Sequence, residues 1–299
     1  MSKIVETIPN FSEGRDPTVI EALASTARSV PGVTLLDYSA DPNHNRSVFT
    51  LMGDPAGIGE AAFQLCKTAS EQIDLRTHRG EHPRMGATDV LPFVPIKNVS
   101  VEECVALSQA VARRIWEELH IPIFLYEYSA TRPERQNLAA LRKGEFEGMP
   151  TKLLDPDWVP DFGGPAVHPT AGITAVGARP PLVAFNINLD TANLEIAKAI
   201  AKAVRGSSGG YKYCKAIGVM LESRGIAQVS MNMVNYEGTP LYRAFEAVRF
   251  EASRWGVNII GSELIGLAPA KALIDCAEYY LKLEHFDYER QVLENHLWE

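Results

Sequence analysis

The sequence predicts an α/β (α+β) protein of two ferredoxin-like βαββαβ subdomains with a ligand groove between them, divided as residues 1–178 and 179–299. Three observations carry that prediction. The segments alternate as β-α-β-β-α-β twice along the chain, and 299 residues are enough for two ordinary cores. Between the two runs, Pro150 to Gly172 loses all periodicity and gathers proline and glycine, as a functional loop or a domain connector does.

In the first half, Ile4 to Phe11 alternates like a strand and breaks at Ser12-Glu13-Gly14. Asp16-Pro17 is an N-cap followed by proline at the first helical position, and Val19, Ile20, Leu23 and Ala27 hold helical spacing until Pro31-Gly32. Val33 to Tyr38 and Arg46 to Met52 read as a long hairpin around the turn-rich Ala40 to Asn45. Asp54-Pro55 repeats the cap-then-proline signal and opens a helix toward Glu71. The next strand, Val90 to Ile96, contains Pro92 and Pro95, which predict an edge position or an irregular ladder. Ser100 with Glu103 spells a capping box for a helix to about Leu119, a strand follows at Ile121 to Tyr126, and short helices are expected from Pro133 to Glu147.

The second half repeats the order. A strand at Leu182 to Leu189 is followed by a helix through Ala203, strands at Tyr213 to Leu221 and Ala227 to Val234, a helix from about Thr239 to Trp255, and a strand at Val257 to Ile260. Ala270 to Leu283 should close the second sheet.

Composition excludes several classes of function. A net charge of −8 argues against a nucleic-acid partner, which requires a concentrated basic face. No stretch approaches the ~20 apolar residues of a membrane span, and Glu6 interrupts the N-terminus before a signal-peptide core could form, so a cytoplasmic location is expected. Cys66, Cys104, Cys214 and Cys276 stand far apart with no C-x-x-C pair and read as core thiols.

Three polar clusters are candidates for chemistry. Thr77 to Asp89 holds two imidazoles, two guanidiniums, two carboxylates and two glycines, suiting either an acid–base loop or a solvated connector. His78 and His82 stand four apart, but Gly80, Pro83 and Gly86 oppose a helix and the order is not H-E-x-x-H, so no metal is expected. Leu36 to Ser47 is ordinary turn chemistry except for Arg46, a guanidinium entering a strand and suited to a carboxylate. Asp161 to Gly172 is either a flexible linker or a segment whose glycines let backbone approach a flat ligand.

Val5-Glu6-Thr7-Ile8-Pro9-Asn10-Phe11-Ser12-Glu13-Gly14, Gly80-Glu81-His82-Pro83-Arg84-Met85-Gly86-Ala87 with Asp89-Val90, Pro160-Asp161-Phe162-Gly163, Gly177-Ala178-Arg179 and Ala184 to Leu189 together resemble the glutamate formimidoyltransferase family over nearly the whole chain. The resemblance implies two ferredoxin-like subdomains around a folate groove, a homodimer, and tetrahydrofolate as co-substrate receiving the formimino group of N-formimino-L-glutamate. It implies His82 as the essential residue. It also assigns folate contact to the loop Gly163-Gly164-Pro165-Ala166-Val167-His168-Pro169-Thr170-Ala171-Gly172. Asp37 and Glu81 are candidates to orient the imidazole, and Arg46, Arg84 and Arg179 to meet the carboxylates of donor or folate tail. Two places depart from the animal members: Ser39 stands where they carry an aspartate, and Gly163-Gly164 where they have one glycine before proline. A glutamate formyltransferase using 5-formyltetrahydrofolate, and a non-catalytic folate-binding protein, are the alternatives.

Overall fold

The computed structural model describes residues 2–42, 44–80, 83–222 and 224–298. The chain divides into two compact units, Met1–Arg179 and Pro180–Glu299.

In the first unit β1 (Ile4–Thr7) and β2 (Asn10–Phe11) are successive pieces of one strand line, followed by α1 (Pro17–Ser29), β3 (Val33–Asp41), β4 (Arg46–Gly53), α2 (Pro55–Gln72) and β5 (Thr88–Lys97). Then come α3 (Val101–Leu119), β6 (Ile123–Leu125), α4 (Leu138–Arg142), α5 (Glu145–Lys152) and β7 (Thr174–Ala178). Across the sheet the order is β3, β4, β1 with β2, β5, β7, β6. Its first four lines are antiparallel, and β7 and β6 extend it in parallel beyond β5.

The helix starts follow the local chemistry. Asp16 and Asp54 accept hydrogen bonds from the first-turn amides of α1 and α2, each with proline just inside the helix, and Ser100 and Glu103 form a reciprocal capping box on α3. One face of the sheet buries Val5, Phe11, Phe49, Leu51, Leu91 and Phe93 against the apolar stripes of α1, α2 and α3. On the other face, α4 and α5 cover β5, β7 and β6 through Leu141 and Met149 packed with Met85, Phe124 and Ile173. Strand alternation leaves Asn10 and Arg46 on that second face.

β5 is an interior strand, which corrects the edge position that its prolines allowed; the irregular ladder is what occurs. Pro92 lies opposite the break between β1 and β2, since pairing to β1 ends at Thr7 with Phe93 and resumes at Asn10 with Val90. Pro95 falls at a register shift against β1. Each proline therefore meets a place where the ladder is already interrupted. The prediction also missed β7, a strand of five fully buried residues, and ran the second-unit closing strand too early.

The second unit contains β8 (Val183–Leu189), α6 (Leu194–Val204), β9 (Cys214–Leu221), β10 (Ile226–Met233), α7 (Leu241–Ser253), β11 (Ile259–Ile265) and α8 (Ala270–Leu281). Its sheet order, β11-β8-β10-β9, places the strands of a βαββαβ unit as 4-1-3-2, the arrangement found in the first four lines of the first unit. Among the described residues no helix is long and apolar enough to cross a membrane.

Candidate functional site

The strap from Thr77 to Asp89 is fixed at both ends. Upstream, His78 is buried, with Nε2 2.8 Å from the Asn45 carbonyl and Nδ1 accepting from Arg84 Nε at 3.2 Å. Asn45 adopts φ of 49° at the hairpin tip, accepts from the Gly14 amide at 2.9 Å, and donates to the Arg79 carbonyl at 3.0 Å. Gly80 follows, so close to the His44 carbonyl and Asn45 that a Cβ would collide with backbone. Glu81 and His82 lie outside the described residues.

Downstream of them the strap is stitched into the sheet. Met85 donates to Asp89 Oδ1 at 2.9 Å, and its carbonyl accepts from Ile173 at 2.9 Å. Ala87 donates to Ala171 at 2.8 Å and accepts from Ser12 at 2.9 Å, while the Ser12 hydroxyl donates to Gly86 at 2.7 Å. Gly86 and Gly172 face one another as an antiparallel bridge, each touching backbone where a Cβ would have to sit, and Gly172 has φ of 72°. A further bond of 2.9 Å joins the Leu75 amide to Thr170. The segment that follows residue 82 and the end of the glycine loop, far apart in sequence, are thus adjacent backbones.

The start of that loop is anchored by Asp161. Its carboxylate pairs with Arg135 at 3.0 Å, both side chains nearly fully buried, and accepts from the Leu125 amide at 2.9 Å. Arg135 Nη2 donates to the Asp157 and Val159 carbonyls at 2.8 and 2.7 Å. Gly163, at φ of 112°, packs on Pro122 and Trp116. Pro165, Ala166 and Pro169 are exposed, and Gly164 has open space where a Cβ would be. His168 Nδ1 accepts from the Ala171 amide at 3.0 Å, and burial, reinforced by the charge of His120, holds its ring below the usual histidine value.

The remaining predicted residues divide. Arg46 lies beside the strap and donates to Asn10 Oδ1, while burial and then the neighbouring charge of Arg142 push its guanidinium down to about 10. Arg142, on α4, pairs with Asp89. Arg84 is committed within the unit, to Glu145 at 2.8 Å and Glu147 at 2.6 Å as well as to His78. Arg179 stands at the end of β7 near Glu6 and Tyr126; burial raises the Glu6 carboxyl, and the Arg179 charge works against that rise. Asp37 is exposed on the outer strand β3, opposite Thr50. The strap, residues 168–172 of the loop and Arg46 are therefore brought together, and Asp37 is not.

Sequence reasoning missed the Asp89–Arg142 and Asp161–Arg135 pairs. Both aspartates stood in the quoted motifs, but their partners sit among short helices with no motif of their own. The arginines recurring through Arg132, Arg135 and Arg142 were the available signal.

Two βαββαβ units, with a strap and glycine loop joined on the first, define the class. Residues 4–179 match the formiminotransferase domain, N-terminal subdomain, and residues 184–295 match the formiminotransferase domain. The chain belongs to the formiminotransferase family. It is 71% identical to glutamate formimidoyltransferase of Streptococcus pyogenes serotype M1, covering 99% of each chain. With the glutamate formimidoyltransferase of Thermoplasma acidophilum it shares 47% identity over 97% of this chain and 96% of that one. The formimidoyltransferase-cyclodeaminase of Gallus gallus is 46% identical over 95% of this chain, which spans 53% of the longer protein.

Proposed function

We propose that this chain transfers the formimino group of N-formimino-L-glutamate to N5 of tetrahydrofolate, giving 5-formimidoyltetrahydrofolate and glutamate, in histidine degradation and one-carbon metabolism. The observation that carries the reading is the backbone join between the strap following His82 and the end of the glycine loop, Gly86 against Gly172, in a chain whose relatives are named for this transfer. An acid–base residue on the strap and a pteridine against the loop Gly163 to Gly172 then become neighbours.

N5 attacks the amidine carbon, and the C=N electron pair moves onto the terminal nitrogen. Collapse of the tetrahedral adduct breaks the bond to the glutamate nitrogen, a poor leaving group unless protonated. The N5 proton is the one to be moved. Histidine, with an ordinary value of about 6.5, both accepts and releases a proton near neutrality. His82 takes the proton from N5 and delivers it to the departing amine. Glu81 precedes it in the chain and is the candidate for orienting the ring.

The test offers purified protein two donor pairs: isotopically labelled N-formimino-L-glutamate with tetrahydrofolate, and 5-formyltetrahydrofolate with glutamate. Label in 5-formimidoyltetrahydrofolate is the expected result. Transfer only in the formyl pair replaces the donor, and folinic acid binding without either transfer reduces the chain to a folate-binding protein. A homodimer in the cytoplasm completes the proposal, and light scattering at twice the chain mass of 32.9 kDa would support the dimer.

A further inference from the structure

We propose that Arg46 and Arg142 together seat a carboxylate of the amino-acid donor, with Arg142 a specificity-determining residue for it. The inference rests on the formimino-transfer reading and deepens it. Arg46 projects from β4 and Arg142 from α4 onto the same side of the sheet, close enough that the charge of one depresses the basicity of the other. The Asp89 carboxylate contacts Arg142 and is divided: Oδ1 accepts from the Met85 amide and Oδ2 faces Arg142, while the Asp41 carboxylate, across the ladder from Arg46, bonds to His44. Asn10 supplies a neutral acceptor to Arg46. The Nε atoms of both arginines are buried and have no acceptor among the described residues.

Buried N–H groups without acceptors are costly, and two guanidiniums close together in a poorly solvated place repel one another. A bound carboxylate would relieve both penalties, and the planar fork of a guanidinium is shaped for it. Position then selects which carboxylate. In N-formimino-L-glutamate the carboxylates lie only a few bonds from the amidine carbon, so their cations must flank the strap that carries His82. Arg46 follows Asn45, which holds Arg79 of that strap, and Arg142 pairs with Asp89 at its far end. Arg84 is occupied by Glu145 and Glu147, and Arg179 faces Glu6.

The experiment measures KM for both substrates and stabilisation by glutarate, a minimal dicarboxylate probe, in wild type, Arg142→Met, Arg46→Met and Arg142→Lys. Expected are a donor KM raised at least tenfold in both methionine variants, a tetrahydrofolate KM within twofold of wild type, and loss of the glutarate-induced rise in Tm. Arg142→Lys should recover part of the donor affinity. In wild type, glutarate should compete with the donor and not with tetrahydrofolate, an arm independent of whether the methionine variants fold. Unchanged donor KM, or non-competitive glutarate, overturns the assignment. Protection by p-aminobenzoyl-glutamate but not glutarate, abolished by the same substitutions, assigns the pair to the folate tail and also overturns it. Glutarate protection lost in Arg142→Met, in a protein without formimino transfer, would retain the anion seat and reject the activity.

Discussion

Arg84 donates its Nε–H to Nδ1 of His78 across 3.2 Å, while Nε2 of that ring stands 2.8 Å from the Asn45 carbonyl. A guanidinium cannot accept, so Nδ1 holds the lone pair and Nε2 the proton. The buried imidazole is thereby fixed as the neutral Nε2–H form, and a second proton would set N–H against N–H. His78 is a structural post of the strap, with both ring nitrogens engaged.

Acid should therefore loosen this region. Burial is the main cause holding His78 below its ordinary value of 6.5, and the Arg84 charge acts in the same direction. As pH falls through about 6.5 the unfolded chain takes up a proton that the folded chain refuses, so the contribution is complete above that value and is lost on the way down to the lowered folded value. Urea midpoints at about pH 7.5 and 5.5 should differ more for wild type than for His78→Gln, whose amide can make both hydrogen bonds without titrating. Equal pH sensitivity in the two proteins would contradict the assignment.

His82→Ala should lower kcat by ~10²–10⁴-fold, the usual contribution of a general acid–base group, and leave folinic acid affinity nearly unchanged. Steady-state kinetics with fluorescence titration reads both quantities. A folded variant with near-normal turnover would exclude His82 from proton transfer.

The two ends of the glycine loop should respond unequally to a single methyl group. Gly172→Ala meets the Met85 carbonyl at φ of 72°, a region costing L-residues roughly 1–2 kcal/mol before any collision. Gly164→Ala enters open space and should fall within about ±0.5 kcal/mol of wild type. Chemical denaturation of the pair compares them directly, and equal losses would mean that the Gly86–Gly172 join is not a tight contact in solution.

Asp161→Ala strands the buried Arg135 guanidinium and should cost about 3–5 kcal/mol, as removal of one member of a buried ion pair does. A urea midpoint unchanged from wild type would show that the carbonyls of Asp157 and Val159 are sufficient partners.

Local chemistry made the helices legible. Asp16-Pro17, Asp54-Pro55 and the Ser100–Glu103 box each signal a start within a few residues, and the structure begins α1, α2 and α3 there. The strap and loop were visible as dense polar clusters because neither has a periodicity to bury. Their mutual contact was not, since Gly86 and Gly172 are joined by backbone atoms that carry no residue code. β7 escaped for a related reason: Thr174–Ala178 is buried on both faces, so it shows no alternation. Pro92 and Pro95 left β5 open between an edge position and an irregular ladder, because their tolerance depends on interruptions in the facing line of β1 and β2. Arg142 and Arg135 lay in helices too short to announce a face, with partners known only once the sheet had formed.

The bonds from Ser12 to Ala87, from Ala87 to Ala171 and from Ile173 to Met85 run from one segment to the next like rungs. Because they are main-chain bonds, they constrain position while leaving side-chain identity at Ala87 or Ile173 open to drift. A transplanted loop from a distant homologue would consequently need to preserve the spacing of these rungs rather than their letters, and inserting one residue between Gly172 and Thr174 would shift strap and loop out of step together.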